Sequence, residues 1–220
     1  MGLTSEAVEI QKEAGKVLEQ LLGAQPEDRQ LQKQLAVVES RRGVALQKIG
    51  KLREARELLE QAMRRQERLL ARHPDDELLQ ADFALSLAGL GSVQHDLKQP
   101  EAAQASFEDA AKRLEHLLAA NAHDERIRLQ LAMVLNNWAG ETASKRPAEA
   151  ARLHGRAVDL LRKLAAEDGA NGRVQRDLAL SLNNLGAALA RSGESHRARQ
   201  MYGEAIGMRR ELVRAAPARA

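Results

Sequence analysis

Apolar residues recur along this chain at intervals of three and four. Near the C-terminal end, Val174, Leu178, Leu182, Leu185 and Leu189 keep the spacing of one buried helical stripe. The turn ARSGES follows, and a second amphipathic stretch then carries Ala198, Tyr202, Ala205, Ile206 and Leu212. Sliding the chain along itself finds this helix–turn–helix pattern four times, at residues 21–68, 69–116, 117–163 and 164–211. Three of these repeats are 48 residues long, and the third is one shorter, at its mid-unit turn. Gly43, Gly91 and Gly186 are equivalent, with Ala139 in the third repeat. Two alanine positions also recur: Ala55, Ala103, Ala150 and Ala198, and Ala62, Ala110, Ala157 and Ala205. The same shift places Glu6-Ala7 on Glu54-Ala55 and Ala14 on Ala62, which predicts a helix over 4–23. That helix reads as the second half of a repeat, so the expectation is an excised module or an end-to-end assembler.

Turn chemistry supports the division. Gly50 and Gly193 are placed to supply the left-handed residue that ends a first helix, while Pro100 and Pro147 fall where a second helix starts and a missing N–H costs nothing. Asp75, Asp124 and Asn171 are the expected N-caps of the following helices, and Ser195 that of the last one. Pro74 and Pro217 come late, after long second helices, and a tail is expected from 212 to 220.

Composition narrows the packing. The 220 residues are 44% hydrophobic but only 2% aromatic, which favours thin helical layers packed through alanine and leucine. The net charge of +3 is small and no long block of one sign occurs, so neither a nucleic-acid nor a membrane tail is expected. With no cysteine, disulfides, thiolate metal sites and cysteine nucleophiles drop out together. The start lacks a signal-peptide core and no apolar run is long enough to span a bilayer, so a cytoplasmic location is expected.

Catalytic constellations do not emerge. The histidines, at 73, 95, 116, 123, 154 and 196, form no metal-ligand spacing within one helix. GVALQKIGK (43–51) has the wrong glycine spacing for a phosphate loop, and DGANGR (168–173) falls where two helices are joined. Arg64, Arg65, Arg68, Arg72, Arg209, Arg210 and Arg214 read as a solvated outer face, diluted by Glu60, Glu67 and Glu211 and without aromatic stacking partners. Trp138 stands where Leu90 and Leu185 stand and is expected in the core. No enzyme activity, cofactor or metal is expected.

The repeats resemble the tetratricopeptide repeat: a bulky residue, Leu-Gly three on, a large residue, then alanine and an aromatic in the second helix. The fourth repeat supplies Leu182, Leu185-Gly186, Leu189, Ala198 and Tyr202, and the second supplies Leu87, Leu90-Gly91, Ala103 and Phe107. The third has Leu135, Trp138-Ala139, Thr142, Ala150 and His154. The first departs most, with Glu39 and Arg42 where apolar residues belong. The family's usual repeat is about 34 residues, and the excess is explained by lengthening each helix two turns, to about 30 Å. Such long repeats look like those of kinesin light chains and of helical arrays in large bacterial regulatory proteins. The resemblance implies an all-α, right-handed solenoid of antiparallel helix pairs with about nine helices, forming one array over the whole chain.

In this family, first helices line a concave groove. On the fourth repeat's first helix, the side opposite the leucine stripe presents Arg176, Leu180, Asn183, Asn184, Ala187 and Arg191; the third repeats the amide pair as Asn136 and Asn137. In kinesin light chains, asparagines in a similar context hold cargo peptides, so these eight residues are the candidate peptide-binding site by resemblance. The alternative is that the amides bond neighbouring helices; of each pair, one is expected to serve the inter-repeat contact and the other to face the groove. The expected function is a non-catalytic scaffold that binds a peptide of a partner protein. The alternatives are self-association through open ends, or the regulatory array of a larger signalling enzyme.

Overall fold

The computed structural model describes residues 2–215, and Pro217 lies outside them. Nine α-helices occupy the described residues: α1 (Gly2–Ala24), α2 (Arg29–Lys48), α3 (Leu52–Arg72), α4 (Glu77–Asp96), α5 (Pro100–Ala120), α6 (Glu125–Thr142), α7 (Pro147–Glu167), α8 (Gly172–Arg191) and α9 (Ser195–Ala215). Each repeat is a hairpin of two such helices, in which consecutive helices run antiparallel across a short turn. No helix among them is long and apolar enough to cross a membrane. The chain forms two compact units, Met1–Leu117 and Leu118–Ala220.

Within both units the junctions between hairpins are built the same way. Asp28, Asp76, Asp124 and Asn171 are the N-caps of α2, α4, α6 and α8, each accepting from the backbone N–H three residues on, at 2.9–3.2 Å. The cap of α4 is thus Asp76 and not Asp75: Asp28, Asp76 and Asp124 are spaced by the repeat length, which the neighbouring Asp75 is not. Gln32, Gln80 and Gln175, four residues past their caps, reach back to the carbonyls of Pro26, Pro74 and Gly169 and tie down the loop. In the third repeat this position is Arg128, which instead donates to Glu167 at 2.8 Å.

The turns inside hairpins hold two surprises. Gly50 and Gly193 are left-handed, with φ of 79° and 88°, but so is Lys98, the residue in register with Gly50, at 62°. Pro100 and Pro147 each begin a second helix. The third repeat loses its residue from the helix and not from the turn. α6 has 18 residues where α4 and α8 have 20, and ends at Thr142, whose hydroxyl donates to the carbonyls of Trp138 and Ala139. Ser195 is not a cap but the exposed first residue of α9, since the Glu194 carbonyl already accepts the first helical bond, from Ala198.

Packing within each hairpin turns on one notch. A Cβ on Gly43 would lie 2.7 Å from Leu59; on Gly91, 3.1 Å from Phe107; on Gly186, 2.9 Å from Tyr202. The large residue of the second helix therefore sits against bare backbone of the first. In the third hairpin the notch is filled by Ala139, and the opposing residue is His154. Both are buried, as is Trp138. Ile206, expected on the inner stripe of α9, is instead half exposed, while Ala198 and Ala205 are buried.

The first repeat answers one of its polar departures, Glu39, with an ion pair. Glu39, only 4% exposed, is held by the forked guanidinium of Arg65 at 3.2 and 3.3 Å. Burial raises the Glu39 pKa, with Arg65 opposing it. Arg65 is thereby withdrawn from the solvated stripe expected of it. At the junction above, the Asp76 carboxylate also accepts from Lys33 and Arg29. Burial alone would raise its pKa, but these donors and the Leu79 N–H hold it down at about 2.

Candidate functional site

The candidate residues all lie in the second unit, on α6 and α8. Helical periodicity sorts them. Leu178, Leu182, Leu185 and Leu189 are buried, which turns Arg176, Leu180 and Arg191 outward and leaves Asn183, Asn184 and Ala187 half-buried. On α6 the residues in register with Leu180, Asn184 and Ala187 are Met133, Asn137 and Gly140, all exposed. Two large apolar side chains, Met133 at 47% and Leu180 at 52% exposure, thus recur at one repeat position beside two amides and two small residues.

Asn136 is differently placed. Its Nδ2 donates to Ser181 Oγ at 2.7 Å, and its Oδ1 lies 2.8 Å from His154 Nδ1. Ser181 in turn donates to the Asp177 carbonyl at 2.8 Å. The direction of the chain follows: Nδ2 is the only donor end of the amide, so Oδ1 is an acceptor and His154 carries its proton on Nδ1. Burial lowers the His154 pKa to about 4, which keeps the ring neutral near pH 7. Asn136 therefore joins α6 to both α7 and α8, and Asn137 is the amide of that pair turned to solvent.

The first unit repeats the joint in simpler form. Ser40, in register with Asn136, lies 2.9 Å from Ser86, in register with Ser181; Ser86 bonds back to the Asp82 carbonyl as Ser181 does to Asp177. The amide–histidine–serine set was not anticipated. Its signal was nevertheless present in the sequence, since Ser86 and Ser181 occupy one repeat position and His154 interrupts a column of Leu59, Phe107 and Tyr202. Asn183, although in register with Asn136, makes no side-chain hydrogen bond among the described residues, and neither does Asn184; both keep their amide groups available.

Cation and amide positions give this face its electrostatics. Arg176 and Arg191 stand fifteen residues apart on α8, about 22 Å at the helical rise, with Leu180, Asn184 and Ala187 between them. Neither arginine is engaged in an ion pair among the described residues. Such a surface can hold apolar side chains, satisfy a peptide backbone through amides that both donate and accept, and attract carboxylates at its ends. No three His, Asp or Glu side chains among the described residues gather as a metal site.

Comparison with known proteins bears on the fold. Residues 40–75 and 178–213 match the tetratricopeptide repeat family model. No curated protein matches the sequence. Among solved structures, BtubC (BKLC) from P. vanneervenii is similar with a TM-score of 0.55 at 17% identity, over 99% of this chain and 95% of its own. A MamA protein gives 0.45 at 15% identity, over 100% of each chain, and the MamA RS-1 ArsTM double mutant gives 0.46 at 16%, over 96% of this chain and 92% of its own. Two segments of the chain, residues 40–75 and 178–213, thus match the tetratricopeptide repeat, and the fold of paired helices is similar to that of BtubC.

Proposed function

We propose that this protein is a non-catalytic interaction scaffold whose second unit binds a peptide segment of a partner protein on the outward face of α6 and α8. The observation that carries the reading is the repeated pairing of an exposed apolar residue with an amide one turn on: Met133 with Asn137, and Leu180 with Asn184. Exposed residues of that size at matching repeat positions suit contact with a partner's apolar side chains, and the neighbouring amides can orient a peptide backbone. Arg176 and Arg191 favour a segment with apolar residues in its middle and acidic residues towards its ends. Asn136 belongs to the support beneath this face and Asn183 to its edge.

Selection from a displayed peptide library, with the full chain as bait, tests the reading. Selected peptides should be apolar with acidic flanks, and should lose about tenfold or more in affinity on Leu180→Asp or on joint Asn137→Ala and Asn184→Ala substitution. Peptides that bind all these variants as well as the unaltered chain would place the site elsewhere.

A second reading, self-association, is favoured by exposed Ile10, Val17 and Leu21 along α1 and Ile206 and Val213 along α9. A light-scattering mass that stays monomeric across the accessible concentration range would dismiss it.

A further inference from the structure

The first repeat breaks the pattern of its siblings at two positions, and a cavity lies there. Where later repeats place Leu87, Leu135 and Leu182, the first has Glu39; where they place Leu90, Trp138 and Leu185, it has Arg42. Between α1, α2 and α3 this leaves a partly open space of about 240 Å³, floored by Leu35, Val38 and Leu58 and bordered by Gln11, Lys12, Glu39 and Arg42, with the exposed Lys16 and Glu19 at its mouth. It can take roughly eight water-sized groups at about 30 Å³ each.

Hydrogen-bonding capacity on its walls is unmet in both senses. Arg42 Nε is buried and has no partner among the described residues, and Gln11 Oε1 is buried and likewise unbonded. One is a charged donor and the other an acceptor. The rest of the lining carries both signs, with Lys12 and Lys16 already paired to Glu9 and Glu13, and Glu39 to Arg65. A simple anion drawn to Arg42 is opposed by Glu19 and Glu39, and a simple cation drawn to Glu19 is opposed by Arg42. Buried polar groups left in this state cost stability, and a ligand bearing both charges answers both needs at once.

We propose that this cavity binds a small zwitterion of the α-amino acid class, its carboxylate on the Arg42 guanidinium and its ammonium on Glu19 and the Gln11 carbonyl oxygen. The site is independent of the peptide face, which lies in the other unit.

The test is NMR titration of the isotope-labelled full chain with glycine, L-serine, L-aspartate and L-leucine separately, with acetate and methylammonium as controls carrying one charge each. At least one amino acid should give saturable shifts in α1 and α2, with both controls binding at least about tenfold more weakly. Arg42→Leu installs the leucine of the second and fourth repeats, so the fold should hold while affinity falls about tenfold to a hundredfold. Gly15→Leu is a second variant: a Cβ there meets only Val38 Cγ1, at 3.9 Å, and the longer side chain fills the space. Absence of saturable shifts with every amino acid, equal binding by Arg42→Leu and Gly15→Leu, or acetate binding as tightly as the best amino acid would each overturn the proposal.

Discussion

Gln66 offers a sharp test of the packing. It lies on α3, is 0% exposed, and neither its Nε2 nor its Oε1 has a partner among the described residues. The residues in register with it in the second and third repeats are Leu114 and Leu161, both buried, while the last repeat has the exposed Arg209. Gln66→Leu therefore replaces an amide by the residue this position holds twice elsewhere, at closely similar volume. Leaving a buried amide unbonded costs about 1–3 kcal/mol, and the leucine adds favourable burial of its own. The expected gain is about 2 kcal/mol. Fluorescence is the wrong probe, because the sole tryptophan and tyrosine, Trp138 and Tyr202, lie in the second unit. Hydrogen exchange at the α3 amides is the right one: a gain of 2 kcal/mol slows exchange through global opening by about thirtyfold. Faster exchange at α3 in the variant would show that Gln66 has a bonding partner worth more than its desolvation, and the reasoning would fail.

Two further outcomes follow from local geometry. His154 has a folded pKa of about 4 against the ordinary histidine value of 6.5, so as pH falls the unfolded chain takes up a proton before the folded one does. Stability is lost between those two values, by about 2 kcal/mol at pH near 5; denaturation midpoints of His154→Gln should show a pH dependence smaller by that amount, and identical pH profiles would exclude the buried neutral ring. Lys98→Gly relieves a left-handed non-glycine residue and should raise stability by about 0.5–1 kcal/mol, whereas Gly50→Ala should lower it by a similar amount; calorimetry of both variants checks the pair.

Much of this architecture could be read from the chain because repetition supplies its own control. A single amphipathic stretch is ambiguous, but four stretches in register fix hairpins, turns and buried leucines together. The errors came where one residue was judged alone. Asp75 and Asp76 are equally good caps in isolation, and only the spacing to Asp28 and Asp124 separates them. Lysine rarely takes positive φ, and only the register of Lys98 with Gly50 hints at its left-handed conformation. The candidate face was legible as far as helical periodicity reaches, which is why Leu180 and Arg176 point outward. The fate of Asn136 was not, because a bond to Ser181 on another helix and one to His154 across the hairpin depend on tertiary placement.

The notch between paired helices has a consequence for how such chains change over time. Leu59 against Gly43, Phe107 against Gly91 and Tyr202 against Gly186 pair a large partner with the smallest one, while His154 faces Ala139. What each hairpin must hold constant is the combined bulk of two side chains some sixteen positions apart. Either residue is then free to vary when the other compensates. Relatives of this chain should therefore show a correlated trade of volume at these two columns even where neither column is invariant.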